Sequence, residues 1–156
     1  MFYYDSNIAG TSHATINTEV AHQFLLSGAT MPAFLVGLYL AGRMVSAGGL
    51  VMRTKKFPTT APSGGTAVTM EKRDPDAPTA LVTAGTASYT VGTGTPKVRQ
   101  IVGCAAQGGF GGWFAPVLEQ AYKMKAAGGV NGHLEFYSTC PLASVLFDFG
   151  TEVVEV

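Results

Sequence analysis

Twenty glycines and eight prolines are scattered through this chain of 156 residues. Each proline removes a backbone donor, and each glycine weakens a helix interior. Breaks at that density exclude coiled coils, helical bundles and solenoids of helix pairs. Between the breaks the chain is rich in Thr, Val, Phe and Tyr, which suit a pleated, half-buried surface. About eight to ten short runs bounded by turn signals read as strands. The sequence predicts an all-β protein, a jelly-roll-like β-sandwich with one short helix.

The chain has the length of one domain with one core. Residues 1–20 are polar after an aromatic start and are expected to form an N-terminal arm, ordered only against a neighbour. Residues 21–156 are expected to form the sandwich. Ten basic and ten acidic residues cancel, and charged residues make up 13 % of the chain, about half the usual share. A balanced charge argues against a dedicated nucleic-acid binder, which needs a basic face. A surface with so few charges points instead to coverage by other subunits.

Residues 24–42 carry no charge and are as long as a membrane span, but Ser27 to Pro32 interrupts them with turn chemistry. They read as two buried strands, and no membrane partner is expected. Further strands are expected over residues 44–57, with Gly48 and Gly49 as a turn or bulge, and over 66–71, 79–84, 87–91, 97–105, 134–140 and 145–149. Residues 58–65, 73–78 and 92–96 read as loops. The helix is placed from Pro116, with Leu118, Ala121, Tyr122 and Lys125 at helical spacing, Glu119 and Lys123 as an i,i+4 pair, and a stop at Gly128 and Gly129.

The chemistry-bearing residues are few. His13, His22 and His133 lack metal-ligand spacing, and core or loop roles are expected for them. Cys104, His133 and Asp148 offer the residue types of a thiol triad, but Cys104 lies on an apolar strand face where a thiolate is disfavoured. Cys104 and Cys140 are expected as free thiols. With no basic residue before Arg43, no secretory leader is expected. The glycine-rich runs from Gly92 to Lys97 and from Gly108 to Trp113 lack phosphate-loop and dinucleotide spacing. Glu152 and Glu155 read as a solvated edge. Arg53, Lys55 and Lys56, with Lys72, Arg73, Lys97 and Arg99, would make a basic patch if two of their strands are neighbours, but with as many acids as bases they read as a salt-bridged surface, and charge pairing between subunits is a variant of that reading. No cofactor is expected. Trp113, Tyr122, Tyr137 and Phe110 are the residues from which a sugar-binding platform could be built.

The stretch from Pro58 to Thr69, PTTAPSGGTAVT, continues as MEKRDPDAP from Met70 to Pro78. Together with a glycine-rich all-β remainder and low charge, it resembles small structural proteins of tailed bacteriophages. The resemblance covers residues 50–90. It implies a non-enzymatic virion protein, made in the host cytoplasm and placed on the capsid surface as a cement or decoration protein. Such proteins have a jelly-roll or β-tulip fold. The implied partners are the chain itself, as a homodimer or homotrimer, and the major capsid protein. A tail, neck or fibre-base position is the alternative within the virion, and a carbohydrate-binding β-sandwich the alternative outside it. The residues expected at interfaces are Phe2, Tyr3, Tyr4, Phe110, Trp113, Arg73 and Asp74.

Overall fold

A computed structural model describes residues 1–43, 48–86, 88–142 and 144–156. Among these residues twelve strands form two antiparallel six-stranded sheets. They are β1 (Phe2–His13), β2 (Val20–Leu26), β3 (Ala33–Gly42), β4 (Gly49–Lys56), β5 (Thr66–Val68), β6 (Glu71–Lys72), β7 (Thr83–Thr86), β8 (Lys97–Ala105), β9 (Phe110–Phe114), β10 (Tyr122–Met124), β11 (His133–Thr139) and β12 (Val145–Glu155). The first sheet runs β10-β3-β12-β1-β6, with β9 also pairing β3, and the second runs β5-β7-β2-β11-β4-β8. Stripped of the short strands, β9-β3-β12-β1 faces β2-β11-β4-β8. The connections β1 to β2, β2 to β3, β3 to β4, β8 to β9 and β11 to β12 each pass from one sheet to the other. That winding is a jelly roll, so the expected sandwich is present.

Leucine, methionine and phenylalanine side chains fill the space between the sheets. Leu25, Leu35, Leu38, Leu40, Leu50, Met52, Phe136, Phe147 and Phe149 are all shielded from solvent. At about 25 cal/mol per Å² of apolar surface, each stabilises the fold by roughly 1.5–3 kcal/mol. Polar side chains also cross this space. Gln23 on β2 donates to Ser6 on β1 at 2.9 Å, and Ser6 bonds Thr151 on β12 at 2.7 Å. The Ser138 hydroxyl of β11 lies 2.7 Å from His13 Nδ1 and 2.6 Å from His22 Nε2. Burial, with His13 as neighbour, lowers the His22 pKa to about 4, so the ring is neutral at pH 7.

Several expectations are corrected. Residues 1–20 are not an appended arm: β1 pairs β12 from Phe2↔Glu155 to His13↔Val145, and Tyr4, Ser6 and His13 are buried. The alternation was masked because two of these three inward residues are polar. The helix from Pro116 is absent as well. Leu118–Gln120 make one 3-10 turn, and Tyr122–Met124 pair β3. An exposed Glu–Lys pair adds only about 0.2–0.5 kcal/mol to a helix. Covering the open edge of β3 satisfies backbone groups and buries Met124 completely.

Residues 66–71 split between sheets, β5 joining one and β6 the other. Gly85, expected as a break, lies inside β7. The last strand runs on to Glu155, and Glu152 and Glu155 are buried rather than solvated. Of the strand expected over 44–57, residues 44–47 lie outside the described residues, as does Ala87 of the strand expected over 87–91. By contrast, β8 matches its expected bounds, and the apolar run 24–42 is β2, a turn and β3. Among the described residues no helix is long and apolar enough to cross a membrane.

Candidate functional site

Alternation along β9 sends Phe110, Gly112 and Phe114 outward and Trp113 inward. Phe110 is 70 % exposed and Phe114 54 %, high values for the most apolar side chains available. They stand on the outer face of the first sheet. The sheet is shaped for rings there: a Cβ on Gly150 would lie 2.1 Å from Cζ of Tyr39, and one on Gly37 would lie 2.9 Å from Cδ1 of Phe114. Only glycine lets those rings lie flat on the backbone. Beside Phe114 a cleft of about 430 Å³ is lined by Met1, Tyr3, Val36, Pro116 and Val117, with Glu119 and Glu152 among its polar members.

A second cleft, of about 290 Å³, shares Met1 and Tyr3 and adds Phe2, Arg73 and Asp74. Four of the seven expected interface residues therefore meet at one place, brought together because β6 pairs β1 at Tyr4↔Lys72 and Asp5↔Glu71. Arg73 Nε donates to Asp5 at 2.8 Å, and its guanidinium also pairs with Glu152. Burial pushes the Glu152 pKa up and Arg73 pulls it back. The same pairing with Asp5 raises Arg73.

The other three interface residues lie elsewhere. Tyr4 is buried and donates to the carbonyl of Pro78 at 3.0 Å. Trp113 packs on the core and against Tyr122, ring centres 5.0 Å apart. Phe110 is exposed at the far end of β9. Sequence reasoning missed Phe114, Val36, Met1 and Val117. The signal for Phe114 was present as alternation in FGGWF, whereas Val117 was absorbed into the expected helix.

The sugar platform is not assembled. Trp113 and Tyr122 face inward, Phe110 faces outward from the same strand, and Tyr137 lies on the other sheet, covered and bonded to Glu135. The thiol triad is likewise dispersed. The Asp148 carboxylate meets Arg43 and the Gly10 amide, and His133 Nε2 accepts from the Phe57 amide. Cys104 is a free thiol whose pKa burial pushes up. Among the described residues no group of three His, Cys, Asp or Glu is placed to hold a metal.

The basic residues divide. Arg53 and Lys55 pair with Glu19, and Arg73 with Asp5 and Glu152, as a salt-bridged surface requires. Lys56, Lys97 and Arg99 instead line one cleft of about 210 Å³, and Lys56, Arg99 and Lys123 line the next, of about 270 Å³. Comparison of the chain with family models, curated proteins and solved structures finds no match.

Proposed function

We propose that this chain is a non-enzymatic structural protein of a virion: a capsid cement or decoration protein that associates with itself and stabilises the shell. The observation that carries the reading is the open aromatic face of the first sheet, with Phe110 and Phe114 held outward on a rigid strand. Large apolar rings held in the open on one strand face are a place that protein partners cover. The jelly roll adds support by analogy only, since viral capsid domains and lectins both use it. On this reading the face with Phe110, Phe114, Met1 and Tyr3 lies against the major capsid protein. Many weak contacts then add up over a shell through multivalency.

The test is to heat shells stripped of this chain with and without it added back. A rise in shell disruption temperature that is lost with Phe110→Ser/Phe114→Ser supports the reading. No shell binding at saturating chain overturns it. Glycan-array binding that depends on the same two rings would place the chain with lectins instead. Light scattering on the purified chain gives the second readout: a dimer or trimer is expected, and a monodisperse monomer removes self-association.

A further inference from the structure

Half of this neutral chain's cations collect at one place. Lys56 and Lys97 stand directly opposite each other where β4 pairs β8. Arg99 shares both small clefts with Lys56, Lys123 lines the second, and Lys125 follows β10 close enough to act on Lys56. Among the described residues none of the five takes part in an ion pair. Like charges directly across a ladder are destabilising. Burial, and after it Arg99 and Lys125, lower the Lys56 pKa.

The topology locates this cluster. β8 ends the second sheet, β9 and β10 end the first, and β8 packs on β9 and β3. The five cations thus mark one lateral edge of the sandwich. The opposite edge is formed by β5 and β6, and there Glu71, Asp74 and Asp76 are exposed and, among the described residues, make no ion pair. Beside them Lys72 is, among the described residues, without an ion pair, while Arg73 is held between Asp5 and Glu152.

We propose that copies of this chain associate side by side and head to tail, the cationic edge of one receiving the 71–76 loop of the next. This rests on the self-association proposed above and specifies its geometry. A two-fold dimer would bring like edge to like edge and is disfavoured by repulsion, whereas a head-to-tail contact avoids it, closing into a ring where the rotation between copies closes and extending as a filament where it does not. The smallest such ring is a trimer, expected in place of a two-fold dimer. Phe110 and Phe114 on β9 stay free for the shell.

Light scattering on the full chain tests this. Wild type is expected as a closed oligomer whose association weakens roughly 10-fold or more between about 0.1 M and 1 M salt, because exposed pairs are screened. Lys97→Glu/Arg99→Glu and, separately, Asp74→Lys/Asp76→Lys are expected to weaken it about 100-fold. All four substitutions sit on exposed positions, so melting temperatures of the monomers should stay close together. The chain carrying all four, with both edges reversed, is expected to reassemble. Oligomers indifferent to either reversal overturn the edge contact and leave self-association standing. A wild-type monomer overturns both. If a short oligonucleotide binds wild type and is lost with Lys97→Glu/Arg99→Glu while the oligomer persists, the edge is a polyanion site and the proposal fails.

Discussion

The outer faces of the two sheets treat polarity in opposite ways. On the second sheet Glu135 is fully buried and Lys55 and Tyr137 nearly so, although all three point away from the core. The excursion between β4 and β8 folds back over them. The Gly92 amide donates to Glu135 at 2.9 Å, the Tyr137 hydroxyl donates to it at 3.0 Å, and Phe57 and Tyr89 pack alongside. Lys55 stands 4.7 Å from the Tyr137 ring centre while pairing with Glu19. On the first sheet the Asp5–Arg73–Glu152 cluster lies over β1 and β12, while Phe110 and Phe114 of β9 meet water. The chain therefore covers the buried polar groups of one outer face itself and leaves the two phenylalanines of β9 on the other open. A buried carboxyl is tolerated because its hydrogen bonds are made. An exposed ring pair has no such internal reason and points outward, to a partner.

Cutting across both faces would break the comparison most severely. Removing residues 1–13 deletes β1, exposes the edge of β12 and strips Gln23 and His22 of neighbours across the sandwich. Loss of the cooperative unfolding transition is expected by circular dichroism, and a folded truncation would restore the arm reading.

Next in size is Glu135→Ala, which strands the Gly92 amide and the Tyr137 hydroxyl under the covering loop. Destabilisation of about 3 kcal/mol is expected from the urea midpoint, and Glu135→Gln, which still accepts one bond, should lose less. A change below about 0.5 kcal/mol for the alanine variant would mean that the cover is held by Phe57 and Tyr89 alone.

The polar chain between the sheets sharpens the picture through pH. Folded His22 stays neutral down to about pH 4, while the unfolded chain takes up that proton near 6.5. The unfolded state therefore binds more protons between those values. The stabilisation is complete above pH 6.5 and drains away as pH falls toward 4, on the order of 3 kcal/mol in all. His133, lowered chiefly by burial, contributes with the same sign. His22→Gln should flatten this stretch of the stability profile, and an unchanged slope would show that His22 is not the group responsible.

The smallest effect is expected on the open face. Phe110→Ser with Phe114→Ser should move the urea midpoint by less than about 0.5 kcal/mol, as for surface positions generally, while abolishing shell binding. A large loss of stability would show these rings to be part of the fold's own packing and would end the contrast between the faces.

Much of this organisation was legible locally. β3 was legible as a nearly continuous apolar run, and β8 was bounded at both ends by Pro96 and the glycine-rich turn after Ala105. The exposed 73–78 loop followed from its two prolines. The interface residues were half legible. Phe2 and Tyr3 stood out as aromatics at the head of a polar segment, and Arg73 and Asp74 as charges in a turn. Their meeting was not legible, because it depends on β6 reaching back to β1. The helix misreading has the same origin: residues 118–125 carry helical spacing, and only the bare edge of β3 shows why strand pairing prevailed.

Residue type and spacing determined that this chain is a strand protein with glycine- and proline-bounded turns, since those preferences act within a few residues. Tertiary structure decided which strands became neighbours. It set β1 against the far end of the chain, placed a glutamate beneath a loop, and gathered five cations on one edge. Pairing across such separations is governed by how both sheets close on a shared core, and no local window of sequence contains that information.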